Sequence, residues 1–210
     1  MADYVTVAEV KGTLPDSDID TLNDYDAIFS AFITAASRLI DKEVGGWDNY
    51  FYPTTDGETR YYDGSGELEQ WIDPCVTLTS VSVSEGGGRC STCYTDWTEN
   101  TDFYVWPYNY SSINKPIEKL VVDNDSGSKG KWDEVRKGVK VTGIFGFSAS
   151  PPDVIEQACT IQVMRWFMRS KQSWQDTSAS ERLGQMLFTQ ELDPDVKRLL
   201  APYKLHNLMM

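Results

Sequence analysis

Tyr25-Asp26-Ala27-Ile28-Phe29-Ser30-Ala31-Phe32-Ile33-Thr34-Ala35-Ala36-Ser37-Arg38-Leu39-Ile40 places apolar side chains at Tyr25, Ile28, Phe29, Phe32, Ile33, Ala36, Leu39 and Ile40. That spacing is the 3.6-residue period of an amphipathic helix, and it predicts a helix with one face on a core. Gly45-Gly46 ends it, since a helix C-terminus commonly needs the left-handed conformation that glycine takes without strain. Upstream, Thr6-Val7-Ala8-Glu9 has the capping-box spacing in which two orphan N–H groups are satisfied reciprocally, so a short helix is predicted to end near Gly12. A polar, acidic link from Pro15 to Asp24 joins the two.

Downstream the period changes. Thr59 to Tyr62, the turn Asp63-Gly64-Ser65-Gly66 and Leu68 to Ile72 read as a hairpin. Val76 to Val83 alternates apolar and hydroxyl residues, and Asp102 to Trp106, Ile117 to Val122 and Gly138 to Phe147 are further predicted strands. The stretches Gly86-Gly87-Gly88 and Asp123 to Gly130 read as loops outside the core.

Helix returns at Ser150-Pro151-Pro152-Asp153, with Ser150 as the expected cap, and runs to about Lys171. Its apolar residues, from Val154 and Ile155 through Trp166, Phe167 and Met168, cover more than one packing stripe, so burial on two sides is expected, one against helix 25–44 and the other against the β-rich part or a neighbouring subunit. A weaker helical pattern spans Glu181 to Phe188, and Asp193-Pro194-Asp195 starts a final helix through Leu199, Leu200 and Tyr203. The fold expected is α+β: a helical bundle core with an inserted antiparallel β-sheet or small barrel module. Residues 1–57 supply the N-terminal helices, 58–148 the β-rich module, and 149–210 the core helix with a C-terminal docking segment.

The chain has 210 residues, 40% of them hydrophobic, with 19 Lys+Arg against 32 Asp+Glu for a net charge of −13. That excludes a disordered chain, and it excludes a generic nucleic-acid binder, which needs clustered cations to neutralise phosphates. The charge is −8 over residues 1–60, −5 over 61–150 and 0 over 151–210. The acidity belongs to the N-terminal part, and the neutral C-terminal part is the one expected to meet protein. The N-terminus shows no basic or apolar leader and no stretch is long and apolar enough for a membrane span, which points to a cytoplasmic product without a membrane partner.

Catalytic chemistry has little to work with. His206 is the only histidine, and a chain end is a poor place to hold a general base in geometry. Cys90-Ser91-Thr92-Cys93 has zinc-ligand spacing, but a closed site needs two more ligands, and with Cys159 placed in the predicted helix only Cys75 and His206 are left as candidates. Gly86-Gly87-Gly88 is not followed by the Lys-Ser/Thr of a phosphate cradle. No catalytic, cofactor or metal residues are therefore assigned. Trp97, Trp106, Tyr108 and Tyr110 leave open a β module that stacks on sugars or a receptor, or, with a carboxylate pair, a glycoside hydrolase.

Several segments in order resemble one family: the Thr-x-x-Glu helix, Ala35-Ala36-Ser37-Arg38-Leu39-Ile40-Asp41, Thr59-Arg60-Tyr61-Tyr62-Asp63-Gly64, Pro74-Cys75-Val76-Thr77-Leu78-Thr79-Ser80-Val81, Val141-Thr142-Gly143-Ile144-Phe145-Gly146-Phe147, then Pro151-Pro152-Asp153-Val154 and Ala158. Over about residues 4–170, and again at Leu199-Leu200-Ala201-Pro202-Tyr203, the chain resembles the head-tail connector (adaptor, head completion) proteins of tailed bacteriophages. The resemblance implies a non-enzymatic virion protein at the head-tail interface, made in the host cytoplasm. It implies a homo-oligomeric ring, usually twelvefold, under the portal protein, which extends the DNA channel for genome packaging and ejection. It also implies a neck/stopper or tail-completion protein as the next partner, with DNA passing unbound. The residues expected at the portal or subunit interface are Trp166 and Phe167 of the over-apolar helix, and Trp174, Leu187, Phe188, Leu199, Leu200 and Tyr203, apolar groups that a short C-terminal segment cannot bury alone and that are expected to order on binding.

Overall fold

The computed structural model describes residues 3–14, 25–53, 56–84, 93–125, 129–171, 177–179, 186–188 and 192–205. The chain divides into two compact units: residues 1–49 with 151–210, and residues 50–150.

Among the described residues the first unit contains four helices: α1 (Val7–Gly12), α2 (Asp26–Val44), α3 (Asp153–Lys171) and α4 (Pro194–Leu200). A 3-10 turn at Ala201–Tyr203 and a pair of antiparallel strands, β7 (Thr177–Ala179) and β8 (Met186–Phe188), complete it. The capping box forms: the Glu9 N–H donates to Thr6 Oγ1 at 3.3 Å and the Thr6 N–H to Glu9 Oε2 at 2.7 Å. α2 buries Phe29, Ile33, Ala36, Ile40 and Val44 and ends on Gly45 at φ 81°, the left-handed position. On α3 the fully buried residues are Ile155, Ala158, Cys159, Gln162, Val163 and Phe167. Asp41, buried in this unit, accepts from the Tyr4 hydroxyl and from the Asn49 N–H at 3.0 Å, so its charge is hydrogen-bonded as burial requires.

The second unit is a six-stranded antiparallel sheet: β1 (Glu58–Tyr62), β2 (Glu69–Ser84), β3 (Tyr94–Trp97), β4 (Phe103–Trp106), β5 (Ile117–Val122) and β6 (Val139–Phe145), in the order β1-β6-β2-β5-β4 with β3 also on β2. The pairing is antiparallel throughout. Its core includes Ile72, Cys75, Val81, Val83, Phe103, Val105, Leu120, Val141 and Phe145, with Tyr50, Phe51 and Trp132 as its largest buried side chains.

These findings overturn the expected α+β fold built on a helical bundle core. The six-stranded sheet is a compact unit of its own, and two of the four helices described are short, six and seven residues, too short to form a bundle. The hairpin across Asp63-Gly64-Ser65-Gly66 does not form either. β1 pairs with β6 and not with β2, and the turn packs on segment 133–137 instead, with the Gly64 N–H donating to Val135 O at 2.8 Å and the Lys137 N–H to Asp63 Oδ1 at 2.7 Å. A Cβ at Gly64 would stand 1.8 Å from Asp133 O, so the glycine is there for close approach. From Glu69 on, the predicted strand to Ile72 and the predicted strand Val76 to Val83 fall on one strand, β2, with register shifts between Trp71 and Cys75 and again near Thr77 and Ser80. Met186–Phe188 is strand, not helix. Ser150 does not cap α3, which starts at Asp153; the Ser150 carbonyl accepts from the Ser148 hydroxyl at 2.7 Å. Asp123, read as loop, is buried and accepts from the Tyr104 hydroxyl at 3.0 Å.

Candidate functional site

Two surfaces collect the residues that the sequence singles out. The first lies on the helical unit. Trp166 on α3 is half-buried and meets Phe32 of α2 edge-to-face at 6.1 Å, while Phe167 is buried between Phe29 at 4.4 Å and Tyr25 at 5.6 Å. Leu200 is buried, and Leu199 and Tyr203 are half-buried. Leu187 and Phe188 lie in β8, opposite Ser178 and Thr177. Trp174 lies outside the described residues.

The C-terminal segment 192–205 is already packed on its own unit, so it does not wait for a partner to become ordered. The Asp193 side chain caps α4 by accepting from the Asp195 N–H at 2.9 Å, pairs with Arg165 at 3.3 Å, and its backbone N–H donates to Gln162 Oε1. The Leu205 N–H donates to Val44 O at 2.8 Å, and Lys204 pairs with Glu43 at 2.7 Å. With Val196 and Leu200 fully buried, α4 supplies the second covering of α3 that the sequence left to a β module or a neighbouring subunit.

The second surface is one face of the sheet. Trp71, Lys119 and Trp106 stand side by side on β2, β5 and β4 through the pairs Trp71↔Lys119 and Trp106↔Lys119. The Lys119 ammonium lies 5.2 Å from the Trp71 ring centre and 5.1 Å from that of Trp106, and it pairs with Glu69 at 2.7 Å. Tyr108 meets Trp106 edge-to-face at 4.8 Å and Tyr104 at 6.2 Å. Trp71, Trp106 and Tyr108 are 44%, 39% and 58% exposed, and an open depression of about 410 Å³ lined by Ser65, Glu67, Leu68, Glu69 and Trp71 adjoins them. Trp97 is not part of this face; it stacks at 4.5 Å on the buried Trp132. Trp71 is the member that sequence reasoning missed. Its alternation with buried Gln70 and Ile72 was the available signal.

Among the described residues no reactive centre is assembled. Burial pushes the Cys75 and Cys159 thiols up to about 12, and Cys75 donates to Thr77 O, so neither offers a thiolate at neutral pH. Cys93 is disulfide-bonded, which removes it from zinc chemistry; Cys90 and His206 lie outside the described residues. Among the described residues no group of three or more His, Cys, Asp or Glu side chains is placed to hold a metal, and no helix is long and apolar enough to cross a membrane. Burial also raises the Tyr50 and Tyr62 hydroxyls above their ordinary range. For Arg60 burial acts downward, but the hydrogen bonds and charges of Asp73 and Glu58 outweigh it and keep the guanidinium charged.

No protein-family model matches the chain, and no curated protein sequence matches it. Solved structures do. A chain in the neck of an empty gene transfer agent (GTA) particle, computed with C6 symmetry, is similar at a TM-score of 0.53 and 15% identity, over 98% of this chain and 92% of that one. A chain in the virion of the native GTA particle is similar at 0.55 and 16% identity, with the same coverage of both. At such identities the likeness is one of fold, and it runs through both units.

Proposed function

We propose that this chain is a structural, non-enzymatic component of the neck of a phage-like particle, and within the neck the connector (adaptor) that forms a ring under a portal protein, extends the DNA channel and receives a stopper or tail-completion protein. The observation that carries this reading is the fold likeness to a GTA neck chain over 98% of this chain and 92% of that one, which takes in both units and not one common module. The C6 symmetry of that neck is the symmetry of a closed ring, the assembly proposed here. A net charge of −13 suits a wall past which DNA must slide, because contacts with phosphate are on balance repulsive.

Portal docking is proposed at the C-terminal end of the helical unit through the groups left accessible there, Leu199, Tyr203 and Trp166, with Trp174, Leu187 and Phe188 as further candidates. Negative-stain images of the protein mixed with portal particles from the same genome are expected to show a second ring; portal particles that stay bare at excess protein would overturn the reading. Leu199→Asp combined with Tyr203→Ala is expected to abolish that binding while the circular dichroism spectrum stays unchanged, and unaltered binding removes the docking claim.

A second reading, a carbohydrate- or receptor-binding β unit, is favoured by the exposure of Trp71, Trp106 and Tyr108 on one face, since aromatic faces stack on sugar rings. It requires binding on a glycan array that Trp106→Ala with Tyr108→Ala removes, and it falls if the native protein binds no glycan.

A further inference from the structure

We propose that the helical units of successive copies join through two different apolar stripes, the outward face of α2 on one copy packed antiparallel on the outward face of α3 on the next. This rests on the ring reading above and names the surfaces that would close the ring.

On α2, Ile28 is 40% exposed, Ala31 and Ala35 are exposed, and Phe32 and Leu39 are half-buried. Their spacing puts them on one stripe, separate from the buried row Phe29, Ile33, Ala36 and Ile40. On α3, Val154, Ile161 and Met164 are half-buried and Met168 is 48% exposed, again one stripe apart from the buried row. One chain thus carries two unlike apolar stripes, and unlike patches are what a head-to-tail contact needs if it is to repeat around a ring.

Length and charge select a second copy as the occupant. α2 and α3 are 19 residues each, with the exposed Lys42 in the last turn of α2 and the exposed Asp153 at the start of α3. At the rise of an α-helix each is about 28 Å long. Laid antiparallel, Lys42 meets Asp153, while Ala35 faces Ile161 and Ala31 faces Met164, so small residues on one helix receive large ones on the other, and Ile28 faces Met168. The first turn of α3 carries surplus negative charge in Asp153 and Glu156, and burial, then Glu9, then Asp153, hold the Glu156 carboxyl above its ordinary range. A neighbour's Lys42 would offset that surplus.

The test uses the full chain with portal particles and reads assembly by native mass spectrometry and electron microscopy. Ile28→Asp and Met168→Asp are each expected to abolish rings when alone. Mixed, they are expected to give one-to-one heterodimers and nothing larger, because each variant retains the one stripe that the other lacks. Rings formed by either variant alone, or no heterodimer on mixing, overturn the proposal. Where an aspartate variant fails to fold, Lys42→Glu and Asp153→Lys replace the pair: each is expected to weaken assembly about tenfold and the double swap to restore it, and an unrestored double swap overturns it. If the native chain forms no ring on the portal, the ring reading falls and this inference with it. If the native chain forms rings and so do the variants, this inference alone falls.

Discussion

Thr6 and Glu9 exchange two hydrogen bonds, and the Glu9 carboxylate is held below its ordinary range first by the Thr6 N–H and then by the Thr6 hydroxyl. A carboxyl whose value is lowered in the folded protein adds stability that is fully present above its unfolded value and is lost as the pH falls through the folded one. Thermal melts of the native chain and of Glu9→Gln are therefore expected to differ most at neutral pH and to converge in acid. Thr6→Ala is expected to cost about 1 kcal/mol, the ordinary worth of such a cap. This pair was legible in the sequence because everything it needs lies within three residues. Asp41 was not: its partners are Tyr4 and Asn49, and no local spacing announces a buried carboxylate satisfied from two distant places. Trp132 is a similar case, since its indole N–H donates to Leu68 O from a stretch whose neighbours are polar.

α2 and α3 were readable as helices because their period repeats over 19 residues each. What covers α3 was not, because a seven-residue helix such as α4 has too short a pattern to say which side it buries. The structure sets a consequence for that helix. Leu200→Ala is expected to lower the unfolding free energy by about 2–5 kcal/mol, measured by denaturant titration, as for other fully buried leucines. Deleting residues 190–210 would remove Val196 and Leu200 from the core and so confound folding with docking, whereas Leu199 and Tyr203 can be changed without emptying it. The β elements show the complementary limit. Alternation located most strands, yet the pairing of β1 with β6 joins segments about 80 residues apart in sequence, and a turn signal such as Asp63-Gly64 speaks only of its own four residues. The aromatic face was half legible: Trp106 and Tyr108 were singled out together, but only the register with Lys119 brings Trp71 beside them.

Over the whole molecule the charge of −13 makes a clear demand. In an electrophoretic mobility assay at low salt, where phosphate contacts are strongest, duplex DNA is expected to run unshifted at micromolar protein. A shift that disappears at moderate salt would mean that cations are gathered on some face despite the total. The acid–base arithmetic was fully legible because it needs only composition, whereas the balance between sheet and helix was not, since it depends on which strands find one another.

The ends of the β unit meet: the Phe147 N–H donates to Tyr50 O at 2.8 Å, and a Cβ on Gly146 would stand 2.8 Å from both Tyr50 O and the Pro53 side chain. The segment entering the unit and the segment leaving it are therefore fastened together. A unit closed in that way behaves as a cassette. It can be cut out between Asn49 and Pro151, or exchanged for another fold whose ends lie equally close, without asking the helices to move apart.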